Sequence, residues 1–384
     1  MEPYIYIAAD WPHFRWDVGV VSHKLADLRH RQGRLLGRME SLGFSLQKDA
    51  ELQALTQDVV KSSEIEGEHL DADQVRSSVA RRLGIDIGGA TRADRAVDGV
   101  VDMMLDATQH FDQPLTAARL FGWHKLLFQM KPRRVVEPRT FRSGGWPLLV
   151  GRWRDDATGP MQVVSGPVWK ARVHFEAPPA ARLGDEMAQF FTWANDATDR
   201  TDPVLRAAIL HLWFVTIHPF EDGNGRIARA IADWQLARAE GSAQRFYSMS
   251  AAIRAERSAY YAILERTQKG TLDITPWLEW FLACLGRAFT VTETTLGSVL
   301  HKARFWDRHA HVRINDRQRA MLNMLLDGGF LGGSAGKLTT TKWAALTKCS
   351  HDTALRDVQD LIERGMLKKD SAGGRSTSYS VMGK

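Results

Sequence analysis

Along most of this chain, apolar residues recur at spacings of three, four and seven. From 18 to about 42, Val21, Leu25, Leu28, Leu35 and Leu36 follow that repeat, which predicts an amphipathic helix. A second helix is predicted over 46–65, with Gly67 as its natural stop. Asp71, followed by Gln74 three residues on, reads as a capping pair that opens a helix to Leu83, and GIDIGG at 84–89 then interrupts the chain. Further helical segments are predicted at 90–110, 115–130, 183–195, 256–268 and 276–300. The segment 203–217 differs: Val204, Leu205, Ile209, Leu210, Leu212, Trp213, Phe214, Val215 and Ile217 leave almost no polar side, so this helix belongs at the centre of the molecule.

Two stretches favour alternation instead. WPLLVGRW and MQVVSGPVW, separated by the turn-rich RDDATGP, predict one β-hairpin within 141–169. Near the C-terminus, a short helix at 342–346, a turn at 347–350 and a helix at 351–363 with Leu355, Val358, Leu361 and Ile362 inward lead into GMLKKDSAGGRSTSYSV. That last run alternates around Gly373 and Gly374, and the whole is a winged helix-turn-helix pattern. The fold class expected is therefore mainly α.

Composition narrows the class. At 384 residues, 44% hydrophobic and 25% charged, the chain can form two or three folding units. The N-terminus has no secretion pattern and no apolar run is long enough to span a membrane. Cys284 and Cys349 are too few for a disulfide framework or a thiolate zinc cage, so a cytoplasmic protein is expected. The net charge is +6, and residues 313–384 hold 12 Lys and Arg against 7 Asp and Glu, a local basic surface rather than a basic protein. The N-terminal aromatics Tyr4, Tyr6, Trp11, Phe14 and Trp16 read as core. LGGSAGK at 331–337 is a loop and not a phosphate loop, because it lacks the first glycine and the Ser or Thr after Lys337.

The chemistry concentrates in TIHPFEDGNGRIARA, just past the buried helix. A helix that ends at His218, a turn at Gly223, Asn224 and Gly225, and a helix that begins near Arg226 bring free N–H groups and a positive dipole end to one point, which should bind an anion. The glycines admit positive φ and close approach of a phosphate, and the Asn224 amide can add a hydrogen bond. Arg226 and Arg229, one turn apart, suit a polyphosphate. Asp222 is a natural oxygen ligand for Mg²⁺ beside phosphates, and His218 is left for proton abstraction. Phe220 is expected to point into the core and anchor the loop.

HPFEDGNGRIAR matches at every specified position the motif His-x-Phe-x-Asp/Glu-Gly-Asn-Gly-Arg-x-x-Arg, so the chain resembles the Fic family of protein adenylyltransferases. The resemblance implies a Fido-type helical core, roughly 115–285 within a domain at 111–300, and transfer of AMP from ATP to a Ser, Thr or Tyr hydroxyl. It implies that the hairpin near 146–169 docks the target protein. His218 would be the general base, a role typically worth about 10² to 10⁴ in rate. Phe220, Glu221, Asp222, Gly223, Asn224, Gly225, Arg226 and Arg229 would form the nucleotide site, with Asp222 on Mg²⁺, Arg226 on the β-phosphate and Arg229 on the γ-phosphate. Gly225 is the residue that phosphate-transferring relatives usually replace.

The resemblance also directs attention to SSEIEGEHL within the N-terminal region, 1–110. Ser62-x-x-x-Glu66-Gly67 resembles the family's inhibitory motif, on a helix expected over 47–67. A carboxylate paired with Arg229 would occupy the γ-phosphate seat. At 4 Å and an effective dielectric of 20 the attraction is roughly 4 kcal/mol before desolvation. Tyr260 and Tyr261 lie on a helix that resembles the one closing the adenine side.

Two other functions compete. The same site could remove AMP from a modified protein, using Glu66 as well as His218. The C-terminal unit, 301–384, could contact DNA or protein through 312–384, with His351, Thr353 and Arg356 on the recognition helix and Arg375 on the wing. The target, the donor base and the oligomeric state are left open.

Overall fold

The structure is a computed structural model, and it describes residues 4–87, 91–128, 141–142, 146–157, 159–166, 170–326, 338–370 and 377–382. The chain divides into two compact units, Met1–Val291 and Thr292–Lys384. The predicted loop at 331–337 and the wing residues Gly373, Gly374 and Arg375 lie outside the described residues. No helix among the described residues is long and apolar enough to cross a membrane.

The larger unit is helical: α1 (Val18–Glu40), α2 (Phe44–Ile65), α3 (Ala72–Leu83), α4 (Arg95–Gln109) and α5 (Ala117–Leu127) come first. Two short antiparallel ladders follow, β1 (Phe141–Arg142) with β2 (Trp146–Pro147) and β3 (Gln162–Ser165) with β4 (Arg172–Glu176). Then come α6 (Leu183–Asn195), α7 (Pro203–Ile217), α8 (Asn224–Glu240), α9 (Met249–Ala255), α10 (Arg257–Gln268) and α11 (Thr275–Arg308), whose residues from Thr292 on belong to the smaller unit.

α7 is the axis of this unit. It opens with Pro203 in the first turn and Asp202 as N-cap, whose carboxylate accepts from Val204 N–H at 2.8 Å. Every residue from Val204 to Ile217 is buried, as the all-round apolar pattern requires. α7 packs most extensively against α8, and α8 in turn touches α4, α5 and α2. Phe190, Phe214, Phe220, Phe281 and Phe289 are fully enclosed, each contributing about 1.5–3 kcal/mol by leaving water. Trp277 Nε1 donates to Ala208 O at 2.8 Å, fixing α11 to α7.

Several boundaries moved for identifiable reasons. Asp71 does cap α3, accepting from Gln74 N–H at 2.9 Å, but the Gln74 side chain turns away and accepts from Asp94 N–H. Asp94 is itself the N-cap of α4, so that helix starts at Arg95 rather than near 90. The segment expected as one helix from 256 is preceded by α9, capped by Ser248.

The single hairpin expected over 141–169 is corrected. WPLLV and MQVVS do not pair with each other: β1 pairs β2, while β3 pairs β4, with a bulge between Val163 and Val164. RDDATGP is no hairpin turn, because Arg154 within it is buried and hydrogen-bonded to the end of α7. RVHFE supplies the true partner strand, held by Phe175, which is buried against Tyr4 and Tyr6. Of the five N-terminal aromatics expected as core, Tyr6 is buried, while Tyr4, Trp11, Phe14 and Trp16 are half-buried.

The smaller unit contains α12 (Asp316–Leu326), α13 (Thr340–Thr347), α14 (His351–Glu363) and an antiparallel ladder of β5 (Leu367–Lys369) with β6 (Tyr379–Val381). Leu322, Trp343, Val358, Leu361, Met366 and Leu367 form its core, while Ile362 packs at the edge. Lys348 in the left-handed region makes the turn between α13 and α14, and Ser350 caps α14.

Candidate active site

The end of α7 presents His218 in an uncommon conformation. Its φ is +52°, a left-handed C-cap usually left to glycine, which costs about 1–2 kcal/mol for a residue with a Cβ. Arg154 holds that geometry. Its Nε donates to His218 O at 2.8 Å, its Nη2 donates to Pro178 O at 2.6 Å, and its backbone N–H donates to Pro219 O at 2.9 Å. A guanidinium at the negative end of a buried helix also answers the orphan carbonyls there.

The imidazole of His218 has a defined tautomer. Nδ1 lies 3.1 Å from Val215 O, and a carbonyl can only accept, so the proton sits on Nδ1 and Nε2 keeps its lone pair. Burial pushes its pKa down to about 4, with the Arg154 charge acting in the same direction and the Val215 carbonyl and Glu66 opposing. The ring is therefore a neutral base near pH 7.

The loop beyond it is latched from inside. Phe220 is fully buried and stacks on His124 at 4.2 Å, as its anchoring role demanded. Asn224 Oδ1 accepts from Phe220 N–H at 3.0 Å and its Nδ2 donates to Phe220 O at 2.8 Å. This corrects the expectation for Asn224: its amide closes the loop rather than facing an anion. Glu221 is turned to the neighbouring segment, where its carboxylate accepts from Leu149 N–H. His124, which the sequence did not single out, donates from Nε2 to Asp222 O at 3.2 Å and accepts at Nδ1 from Gly151 N–H at 2.9 Å.

α8 begins two residues earlier than expected, at Asn224, with Gly223 as a left-handed N-cap at φ +82°. Gly225 lies inside the first helical turn and needs no positive φ. Its missing Cβ serves close approach: a methyl there would stand 2.1 Å from Glu66 Oε1. The anion seat read from the sequence is filled by the protein's own carboxylate.

Glu66 reaches that seat through the end of α2. Gly67 N–H donates to Glu64 O and Glu68 N–H donates to Ser63 O, with Gly67 at φ +83°, which is a Schellman ending. Glu66 Oε1 then stands 2.9 Å from Arg229 Nη1. Arg229 Nε donates to Ser62 Oγ at 2.9 Å and Nη2 donates to Ser62 O at 2.8 Å. Burial alone would raise the Glu66 carboxyl, but the charge and hydrogen bond of Arg229, with Arg226 and Tyr261 beyond, hold it below the usual range. Arg226 Nη1 donates to Glu68 Oε2 at 2.5 Å, a contact the sequence did not suggest.

Asp222 remains more open, with 44% of its side chain exposed. Its Oδ1 accepts from Gly223 N–H, and its Oδ2 accepts no hydrogen bond among the described residues. One available carboxylate oxygen beside a helix N-terminus could serve Mg²⁺, which typically takes one or two carboxylates plus phosphates. No cluster of three or more His, Cys, Asp or Glu able to hold a metal by itself is found among the described residues. Of the two tyrosines, Tyr260 is core, bonded to His211 at 2.8 Å. Tyr261 OH reaches Ile65 O at 3.2 Å and Glu66 Oε2 at 3.3 Å, so it supports the end of α2.

Residues 114–236 match the Fic/DOC family, and residues 4–85 match a domain of unknown function, DUF4172. Residues 114–236, about a third of the chain, are therefore similar to the Fic/DOC family. It is 31% identical over 122 residues to protein adenylyltransferase fic-1 of Caenorhabditis briggsae, over 30% of this chain and 22% of that protein. It is 43% identical over 67 residues to a uridine 5'-monophosphate transferase of Xanthomonas campestris pv. campestris (strain 8004), over 16% of this chain and 12% of that one. Protein adenylyltransferase Fic of Drosophila melanogaster is 35% identical over 99 residues, or 26% and 18% of the two chains. The chain thus spans less than a quarter of the length of these curated relatives, which are nucleotidyltransferases by name. In fold it resembles a Fic family protein from Desulfovibrio desulfuricans G20, with TM-score 0.52 and 22% identity over 95% of this chain and 96% of that one. A Fic domain containing signaling protein from Bacteroides thetaiotaomicron VPI-5482 aligns with TM-score 0.50 and 23% identity over 70% and 96%.

Proposed function

We propose that this chain is a protein adenylyltransferase held autoinhibited by its own N-terminal region, moving AMP from ATP to a hydroxyl of a target protein. The observation that carries the reading is the joint placement of a neutral His218, with Nε2 unprotonated, and a helix N-terminus whose two buried arginines are three residues apart. Nε2 would accept the proton of the attacking hydroxyl. Arg226 and Arg229 would hold phosphate oxygens by charge-assisted hydrogen bonds, and the N–H groups of the first turn of α8 would add to them. Asp222 would hold Mg²⁺, which neutralises phosphate charge when bound. Glu66, on Arg229, would exclude the γ-phosphate and so misplace the nucleotide.

The target protein, expected on the hairpin near 146–169, is proposed to dock along the β3–β4 ladder, where Val164 and Val173 are exposed. Removal of AMP by the same residues would show as AMP release that depends on both Glu66 and His218. The relatives include a uridine monophosphate transferase, so donors other than ATP belong in the assay.

The experiment is intact mass of the purified wild type and Glu66→Gly after incubation with ATP and Mg²⁺. An adenylate added in Glu66→Gly, little in wild type and none with His218→Ala supports the reading. Equal labelling with and without Glu66 removes it from the mechanism.

A second function is proposed for the smaller unit, read as a winged helix-turn-helix. α13 and α14 flank a tight turn, and α14 exposes His351 and Arg356. Binding to duplex DNA that weakens steeply with salt supports it, and salt-indifferent contact points to a protein partner.

A further inference from the structure

The inhibitory segment carries three acids, Glu64, Glu66 and Glu68, and the structure separates them. Glu64 faces away from the site, paired with Lys61 at 2.8 Å and Arg254 at 3.3 Å. Glu66 and Glu68 flank Gly67, and both meet α8: Glu66 on Arg229, Glu68 on Arg226. The match is geometric. Arg226 and Arg229 are neighbours on the helix surface, one turn apart. The left-handed Gly67 reverses the chain just after Glu66, and the Schellman bond from Glu68 N–H to Ser63 O fixes where Glu68 emerges.

Resting on the nucleotide-binding reading above, we propose that Glu68 is a second inhibitory residue, so that the phosphate seats of both motif arginines are closed by one turn of chain. Each guanidinium is almost fully enclosed, with 3% and 2% of the Arg226 and Arg229 side chains exposed. A phosphate that took the Nη1 donors of either arginine would have to displace the carboxylate already there. The two seats differ in strength. The Glu68 side chain is 47% exposed and that of Glu66 30%, so solvent screens the Arg226 pair more and Glu68 is the weaker of the two locks. Tyr261 and Arg257 hold the α2 end through Ile65 O, on the Glu66 side of the glycine. Glu68 lies beyond Gly67 and has to leave Arg226 when the segment withdraws. Removal of Glu66 alone thus leaves Arg226 neutralised and the site only partly open.

The test is calorimetric binding of Mg²⁺–ATP to the full chain, with His218→Ala throughout to prevent turnover. Glu66→Gly, Glu68→Gln, their combination and Glu64→Gln are compared, each checked for unchanged circular dichroism. The combined variant is expected to bind with a Kd about two- to five-fold lower than Glu66→Gly, the range of an exposed ion pair, and Glu64→Gln should match its parent. If Glu66→Gly binds and the addition of Glu68→Gln leaves Kd unchanged, Glu68 is no lock and the adenylyltransferase reading stands. If Glu64→Gln tightens binding as much as Glu68→Gln, the effect is net charge and the proposal fails. If neither Glu66→Gly nor the combined variant binds, the nucleotide-binding reading itself is overturned.

Discussion

Glu66 stands 2.9 Å from Arg229 and at the same time covers the α-carbon of Gly225, where a single added methyl would come within 2.1 Å of its carboxylate. One side chain from α2 therefore closes both an arginine and the N-terminus of the helix that carries it.

Gly225→Ala should report on that contact. The methyl forces the carboxylate away from Arg229, so the variant should lose about 1–3 kcal/mol of stability, as overpacking does. In the Glu66→Gly background the methyl meets only Arg229 Nη1, at 3.3 Å, and the loss should shrink. A thermal double-mutant cycle measures the difference, and additive effects would mean that the two residues are not in contact.

Gly67→Ala tests the aim of the inhibitory turn. At φ +83° an alanine is strained by roughly 1 kcal/mol, and relief by unwinding the last turn of α2 would lift both Glu66 and Glu68. A lower melting temperature with tighter Mg²⁺–ATP binding is expected. Unaltered binding despite the lower melting temperature would separate the turn from inhibition.

Arg154 supports His218 through three directions at once, and that requirement should reject lysine. Arg154→Lys leaves buried carbonyls of His218 or Pro178 without a donor, each worth about 1–3 kcal/mol. Urea unfolding should shift to a lower midpoint with unchanged slope. A midpoint equal to wild type would show that the clamp is dispensable.

His211 gives a pH signature. Burial, assisted by the Arg229 charge, lowers its pKa to about 3 from an ordinary 6.5. The folded state binds fewer protons than the unfolded one between those values. Stability from this group is full above about 6.5 and falls as the pH drops toward 3, by up to about 1.4 kcal/mol per pH unit. His211→Gln, which does not titrate there and can still reach Tyr260, should flatten the acid limb of a stability–pH curve; an unchanged limb assigns the acid sensitivity elsewhere.

Much of the helical framework was legible because its causes are local. α6 and α7 match their expected spans, and for α7 an Asp–Pro start, an all-round apolar pattern and a turn rich in His, Gly and Asn lie within a few residues of the helix they bound. The hairpin was misread for the opposite reason. A strand's partner is chosen by packing, and Phe175 against Tyr4 and Tyr6 draws RVHFE to Gln162–Ser165; RDDATGP looked like a turn because nothing local reveals that Arg154 is buried.

The motif from His218 to Arg229 was readable from the chain alone, together with the acid and glycine suited to oppose it, because residue type and spacing fix which groups a helix end presents. Only the tertiary structure decided what meets them. Glu68 lies 158 residues from Arg226, Arg154 64 from His218 and His124 98 from Asp222. Contacts at such separations are set by how whole helices pack, and packing depends on the summed apolar burial of the unit rather than on any short pattern.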